Sequence, residues 1–209
     1  MRTLVIDSAT EACSVALLEN AVVLASDNQM LGRGHAERLV PMIAALPDKG
    51  RAERILVDVG PGSFTGIRVG LATARALALA WGAQVMGFES LSLVAAMALS
   101  ETAADTIDVC MTGGHGEWFL RSFASDATPI SPLASLSPAA AVAASNASLV
   151  AGSQAAALGA GRMEESPGIT ICNLWPDARF AVLLGASALI AQPRPIYGRA
   201  PDARLPATR

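Results

Sequence analysis

Several residues of this chain carry groups that can do chemistry. Asp7, with Ser8 and Thr10 beside it, lies at a polar turn between two apolar runs and offers a carboxylate flanked by hydroxyls. The segment Gly60-Pro-Gly-Ser-Phe-Thr-Gly66 joins an apolar run, residues 55–59, to a helical one, residues 67–81. A strand, a glycine-rich turn and a helix start in that order form an anion site in principle, because free N–H groups point out of a helix N-terminus. The spacing fits neither common version. No lysine follows Gly66, as a phosphate-binding loop requires, and Thr65 occupies the place of the third glycine of a dinucleotide fingerprint. Ser63 sits in G-x-G-S-x-x-G, which is not the hydrolase elbow spacing, and no His/Asp pair can be nominated for it. His35 as a metal ligand would need a second ligand one turn on, where Arg38 and Leu39 stand. His115 belongs to a Gly-rich turn and reads as solvated, and Lys49, the sole lysine, lies in the turn-like stretch 46–50. Cys13, Cys110 and Cys172 are odd in number and widely spaced. They suggest small buried hydrophobes, not a disulfide framework or a thiolate metal site.

The elements that must position these groups follow from periodicity. Residues 4–18 read as strand, turn and strand, and a further apolar run at 21–25 makes a β-meander. Leu39, Met42, Ile43 and Leu46 recur at helical spacing after His35. They predict a short amphipathic helix that tolerates Pro41 only if it begins about a turn upstream. Residues 55–59 predict a buried strand, and residues 67–81 and 91–99 predict helices. A polar break at 100–106 marks a lobe boundary, giving an N-terminal lobe, 1–100, and a smaller C-terminal one, 101–209. The second half restarts like the first. Val109-Cys-Met-Thr112-Gly-Gly-His-Gly-Glu-Trp-Phe-Leu120 repeats the strand, turn and strand layout with Thr112 in the place of Asp7, as an internal duplication would. Residues 127–144 are rich in Pro, Ser and Ala, 148–152 suggest a strand, 180–191 a final helix, and 193–209 an irregular tail.

Gly62, Gly66, Gly70, Ala74, Ala78 and Gly82 recur every four residues and fall near one helix face. Small residues permit close approach wherever a helix packs. Spacing alone therefore leaves open whether this face seats on its own sheet or meets a helix of another subunit.

With 209 residues, 52% apolar, and a formal charge of −3, the chain has the composition of a globular protein with one core or two small lobes. Arg75 interrupts the longest apolar stretch, and 180–191 is shorter than the roughly 18–20 residues of a membrane span. Asp7 breaks the apolar region that a secretory signal needs, so a cytoplasmic protein is expected. A net negative charge with scattered arginines argues against a nucleic-acid binder that acts alone.

Three segments carry a family likeness. Ile6-Asp-Ser-Ala-Thr-Glu-Ala-Cys-Ser-Val-Ala16, His35-Ala-Glu-Arg-Leu-Val-Pro41 and Gly60-Pro-Gly-Ser-Phe-Thr-Gly-Ile-Arg-Val-Gly70 resemble successive signatures of the TsaB (YeaZ) family. The resemblance is close over residues 1 to about 95, and Pro195-Ile-Tyr-Gly-Arg199 resembles the family's terminal P-x-Y-x-R. It implies an α/β, actin-like ATPase (ribonuclease-H-like) fold of two lobes, the second reduced. It also implies a non-catalytic subunit that pairs with a TsaD-like catalytic subunit through helices of the N-terminal lobe. With a TsaE-like ATPase, the pair would form threonylcarbamoyladenosine next to the anticodon of tRNAs reading codons that begin with A. In this setting tRNA is met only through the complex, and ATP or ADP with Mg belongs to the assembly, not stably to this chain. A homodimer is an option for the chain alone.

The same resemblance tips the small-residue stripe toward an intersubunit face. The residues it implies at the partner interface are His35, Leu39, Met42, Gly62, Phe64, Gly66, Arg68, Gly70, Ala74 and Ala78. Asp7, Ser8 and Thr10 stand where actin-like ATPases place a metal-phosphate carboxylate. That chemistry needs a second carboxylate and a phosphate loop on the facing lobe, where Thr112-Gly113-Gly114 replaces the Asp-Ala-Arg usual in the family. A vestigial nucleotide site, without catalytic residues or metal, is expected. The alternatives are an active ATPase or kinase centred on Asp7 and, more remotely, a peptidase acting on the TsaD-like subunit. Arg194, Arg199, Arg204 and Arg209 either touch tRNA phosphate in an assembly or keep a tail soluble.

Overall fold

The two apolar runs at the start of the chain are unbroken because both of their faces are covered. They form strands β1 (Arg2–Asp7) and β2 (Ala12–Glu19), which pair antiparallel and lead into β3 (Val22–Met30). In the computed structural model, which describes residues 1–162 and 168–198, these strands join β4 (Arg54–Asp58) and β5 (Gln84–Phe88) in one sheet. Its order is β3-β2-β1-β4-β5, with β4 parallel to both β1 and β5. Leu4, Ile6, Val15 and Leu17 point to one face, against helices α1 (His35–Ala45) and α2 (Phe64–Trp81). Val5, Ala16 and Leu18 point to the other, as the two-residue side-chain period of a strand requires.

That second face meets α3 (Ser90–Glu101), which is apolar all round because it lies between two sheets. Leu93 and Met97 pack on the first sheet, and Leu91, Val94, Ala95 and Ala98 on the second. The second sheet holds β6 (Thr106–Thr112), β7 (Trp118–Ala124), β8 (Ala134–Leu136), β9 (Leu149–Ala151) and β10 (Thr170–Cys172). Helices α4 (Pro138–Ala144) and α5 (Ala155–Arg162) cover it. Its order, β10-β9-β6-β7-β8, has the same pairing directions as the first sheet read from the opposite end. This is the topology that the repeated strand, turn and strand pattern around Thr112 predicts. The Glu89–Arg121 ion pair, 2.6 Å, links the halves.

Two local expectations fail and one strand goes unread, each for a physical reason. Residues 180–191 do not form a helix. They make two short 3-10 stretches, Ala178–Leu183 and Ala186–Ala188, because Ala178 and Ala181 seat on the first sheet and Ile190 bridges to Gly87 on its edge. Strand β5 escapes a periodicity reading because it is short, contains Gly87 and follows directly on a helix. Pro41 lies nearly two turns inside α1, on the exposed side, where the carbonyl it leaves unpaired can reach water. Among the described residues, no helix is long and apolar enough to cross a membrane.

Candidate functional site

The motifs of the first lobe converge at the C-terminal ends of β1 and β4. After β4 the chain passes Gly60, Pro61 and Gly62 and enters α2, whose N-cap Ser63 accepts a hydrogen bond from the Gly66 N–H at 3.2 Å. The space that a phosphate would fill holds protein. Ser63 N–H donates to the Ala9 carbonyl, 2.6 Å, and the Ser8 hydroxyl donates to the Gly66 carbonyl, 2.9 Å. A Cβ on Gly62 would overlap the Ala9 carbonyl, and one on Gly66 would overlap the Ser8 carbonyl. Gly70 continues the contact, since a Cβ there would lie 2.6 Å from Ser8 Oγ, and Ala74 is fully buried. The stripe therefore seats α2 on its own β1–β2 turn.

Most of the residues expected at a partner interface are packed within this chain. Gly62, Gly66, Gly70 and Ala74 face inward because the helix must approach another backbone closely there. Leu39 and Met42 belong to the core beneath α1. His35 is also buried: its Nε2 lies 3.2 Å from the Ala12 carbonyl, an acceptor only, so Nε2 carries the proton and the ring pins the start of α1 to β2. Ala78 is half-buried, and only Phe64 and Arg68 face solvent, Phe64 with 54% of its surface exposed.

Asp7 is fully buried and has a partner that sequence reasoning did not single out. Parallel pairing of Ile6 with Val57 sets Asp7 beside Asp58 at the ends of their strands, within hydrogen-bond reach. Asp58 Oδ1 accepts from the Gly60 N–H, 2.7 Å, and the Ser90 hydroxyl, 2.8 Å. Asp58 Oδ2 has no donor among the described residues. Asp7 Oδ1 accepts from the Ala9 N–H, 3.0 Å, and its Oδ2 from the Ser14 hydroxyl, 3.4 Å, which itself accepts from the Ala178 N–H. Burial pushes the Asp7 carboxyl well above its ordinary range, and the neighbouring charge of Asp58 pushes it further. Burial likewise pushes Asp58 up to about 7, against the hydrogen bonds from Gly60 and Ser90. Burial and like charge both oppose ionisation of the two carboxyls together, and a proton kept between them would supply the donor that Asp58 Oδ2 lacks. The sequence signal was a carboxylate inside the apolar run Ile55-Leu-Val-Asp-Val59.

The equivalent turn of the second lobe carries hydroxyls. Thr112 Oγ1 lies 3.0 Å from Ser153 Oγ and accepts from Gln154 Nε2, 3.0 Å, while the Gly113 N–H is taken by the Glu117 carbonyl. His115 occupies this turn with a left-handed φ of 57°. Within this chain Asp7, Ser8 and Thr10 do not fit a metal-bound nucleotide: the carboxyl faces Asp58 and Ser14, and both Ser8 and Thr10 are buried. Among the described residues, no group of three or more His, Cys, Asp or Glu side chains could hold a metal ion. Cys13 and Cys110 are pushed up to about 12 by burial and are not thiolate nucleophiles.

The terminal P-x-Y motif joins the same site. Ile196 N–H donates to the Val59 carbonyl, 2.8 Å, so Pro195, Ile196 and Tyr197 run against the Gly60 loop and α2. Arg199 lies outside the described residues, as do Arg204 and Arg209.

Comparison with known proteins agrees with this construction. A family model described as TsaD, tRNA N6-adenosine threonylcarbamoyltransferase, matches residues 28–158. The chain is 34% identical over 134 residues to the tRNA threonylcarbamoyladenosine biosynthesis protein TsaB of Escherichia coli, covering 60% of this chain and 56% of that protein. It is 35% identical over 109 residues to TsaB of Haemophilus influenzae, covering 50% and 46%. The chain thus spans about half the length of the curated relatives it matches. Over nearly its whole length it is similar to a Pseudomonas aeruginosa crystal structure described as an uncharacterized protein with similarity to peptidase YEAZ. The TM-score is 0.75 at 27% identity, covering 95% of this chain and 99% of that one. YeaZ of the same organism gives 0.69 at 27%, covering 86% and 87%. The ethanolamine utilization protein EutJ of Carboxydothermus hydrogenoformans, 8% identical with a TM-score of 0.51, covering 88% and 90%, shares the fold alone. With its two like sheets, its buried acid pair and its Gly60 loop seated on the first turn, the chain has the actin-like fold and belongs to the TsaB (YeaZ) family.

Proposed function

We propose that this chain is a non-catalytic partner subunit that docks a TsaD-like threonylcarbamoyltransferase through the outward faces of α1 and α2. The observation that carries the reading is the surface of that helix pair. Ala36, Val40 and Ala44 on α1, and Ala72, Ala76 and Leu79 on α2, are all exposed, Val40 at 56% and Leu79 at 89%. The two helices pack side by side, so their small apolar stripes form a surface suited to another helix pair. The names of the relatives support the formation of threonylcarbamoyladenosine in tRNA as the process; in this reading the partner is a TsaD-like enzyme, and a TsaE-like ATPase acts in the same machinery. ATP or ADP with Mg then belongs to the assembly, tRNA is engaged through the complex, and a cytoplasmic protein follows. The same face would pair two copies when the partner is absent. A burial-locked Asp7 favours this reading over an ATPase or kinase centred on that residue.

The test is association of the purified chain with its sister TsaD-like enzyme, followed by gel filtration. Leu79→Glu is expected to weaken the complex by about 30-fold or more, because it places a charge in a desolvated contact. Its unfolding midpoint should stay at the wild-type value. Absence of a wild-type complex, with or without nucleotide, would overturn the proposal, as would full-strength binding by the variant. Mg-dependent ATP turnover by the isolated chain that Asp7→Ala abolishes would restore the enzyme reading.

A further inference from the structure

The edge of α2 next to the terminal segment differs in charge from the rest of the molecule. The sequence has no Asp or Glu from 60 to 88 or from 180 to 198, although the formal charge of the whole chain is −3. Where these segments meet, Arg68 Nε donates to Tyr197 Oη, 2.9 Å, and the guanidinium lies 3.7 Å from the centre of the Phe64 ring. The two rings are 5.0 Å apart and tilted by 32°. Seven residues along the same edge, Arg75 Nη2 donates to the Pro193 carbonyl, 3.0 Å, which brings exposed Arg194 alongside. Among the described residues, none of Arg68, Arg75 and Arg194 forms an ion pair.

A run of unneutralised guanidinium groups attracts an anionic polymer. An exposed, Arg-buttressed aromatic ring adds what a phosphate backbone alone does not need, a flat apolar face on which an unstacked base can lie. An acidic peptide would use the arginines and leave the ring idle. We infer that this strip binds single-stranded RNA, with Arg75 and Arg194 on backbone phosphates and Phe64, held by Arg68 and Tyr197, stacked on a base. The inference rests on the reading above, in which the RNA is the tRNA engaged by the complex. The strip then lies beside the protein-docking face of α2, and Phe64 and Arg68 mark the border between them.

Fluorescence anisotropy of a labelled, unmodified tRNA transcript, titrated with the assembled complex at several salt concentrations, tests it. Arg75→Glu and Arg194→Glu should each weaken binding about tenfold and lower the salt slope by about one. Phe64→Ala should weaken it about tenfold with the slope unchanged. Gel filtration of the same variants with the sister enzyme separates the two readings: intact complexes with lost RNA affinity support the strip. Unaltered RNA binding in all three variants overturns it. So does loss of the protein complex in these variants, which would make the strip a protein contact, or equal competition by polyglutamate. If the wild-type chain forms no complex, the docking reading fails, and the same titrations with the chain alone decide the strip.

Discussion

Replacing Asp58 by asparagine tests the proton held between Asp7 and Asp58. The side-chain amide keeps an acceptor for the Gly60 N–H and the Ser90 hydroxyl, and it places an N–H donor where Oδ2 meets Asp7. In the wild-type fold burial pushes the Asp58 carboxyl up to about 7 from its ordinary 3.8. A carboxyl raised in the folded state contributes stability that is fully present below its unfolded value and is lost as pH rises through its folded one. Each retained proton gives a slope of about 1.4 kcal/mol per pH unit, so the wild type loses stability as pH rises from the ordinary carboxylate range through about 7. Asparagine has no such titration. Urea unfolding at pH 5, 6, 7 and 8 should therefore show the variant gaining on the wild type at each step, most steeply below pH 7. Parallel stability profiles across that range would refute the shared proton.

Gly66→Ala should lower stability by about 3 kcal/mol in urea unfolding, because its methyl overlaps the Ser8 carbonyl and backbone cannot give way as a side chain can. Asp108→Ala should cost a similar amount, about 3 kcal/mol by thermal melting followed by circular dichroism, since it strands the N–H groups of Asn146 and Ala147 and the hydroxyls of Ser122 and Ser145. A thiol reagent at pH 8 should label Cys172 rapidly in the native chain and leave Cys13 and Cys110 for the unfolded one.

Much of the first lobe was legible because its strands and helices obey simple periods: Leu4, Ile6, Val15 and Leu17 alternate, and Leu39, Met42 and Ile43 recur at helical spacing. The repeat of strand, turn and strand also carried through to matching topology. What spacing left undecided was direction. A stripe of glycines reports that something approaches closely, and only the structure shows that the approaching groups are Ser8 and Ala9 of the same chain. The meeting of Asp7 with Asp58 depends on strand register, and that of Phe64 with Tyr197 on a chain return of 133 residues, which no local pattern encodes. The supposed helix at 180–191 misled because apolar residues that serve one sheet face can mimic a helical run.

The return of the chain to the first sheet has a consequence for synthesis. Val5, Ala16, Leu18 and Leu56 are covered in part by Ala178 and Ala181, which emerge long after α3. At 5–20 residues per second the nascent first lobe waits roughly 4–16 s with that apolar face incompletely sheltered. During this interval the face is open to chaperones and to other nascent chains. Residues 174–190 act as a late seal on a lobe made early, so truncation before them should yield an aggregation-prone fragment and not a free-standing lobe.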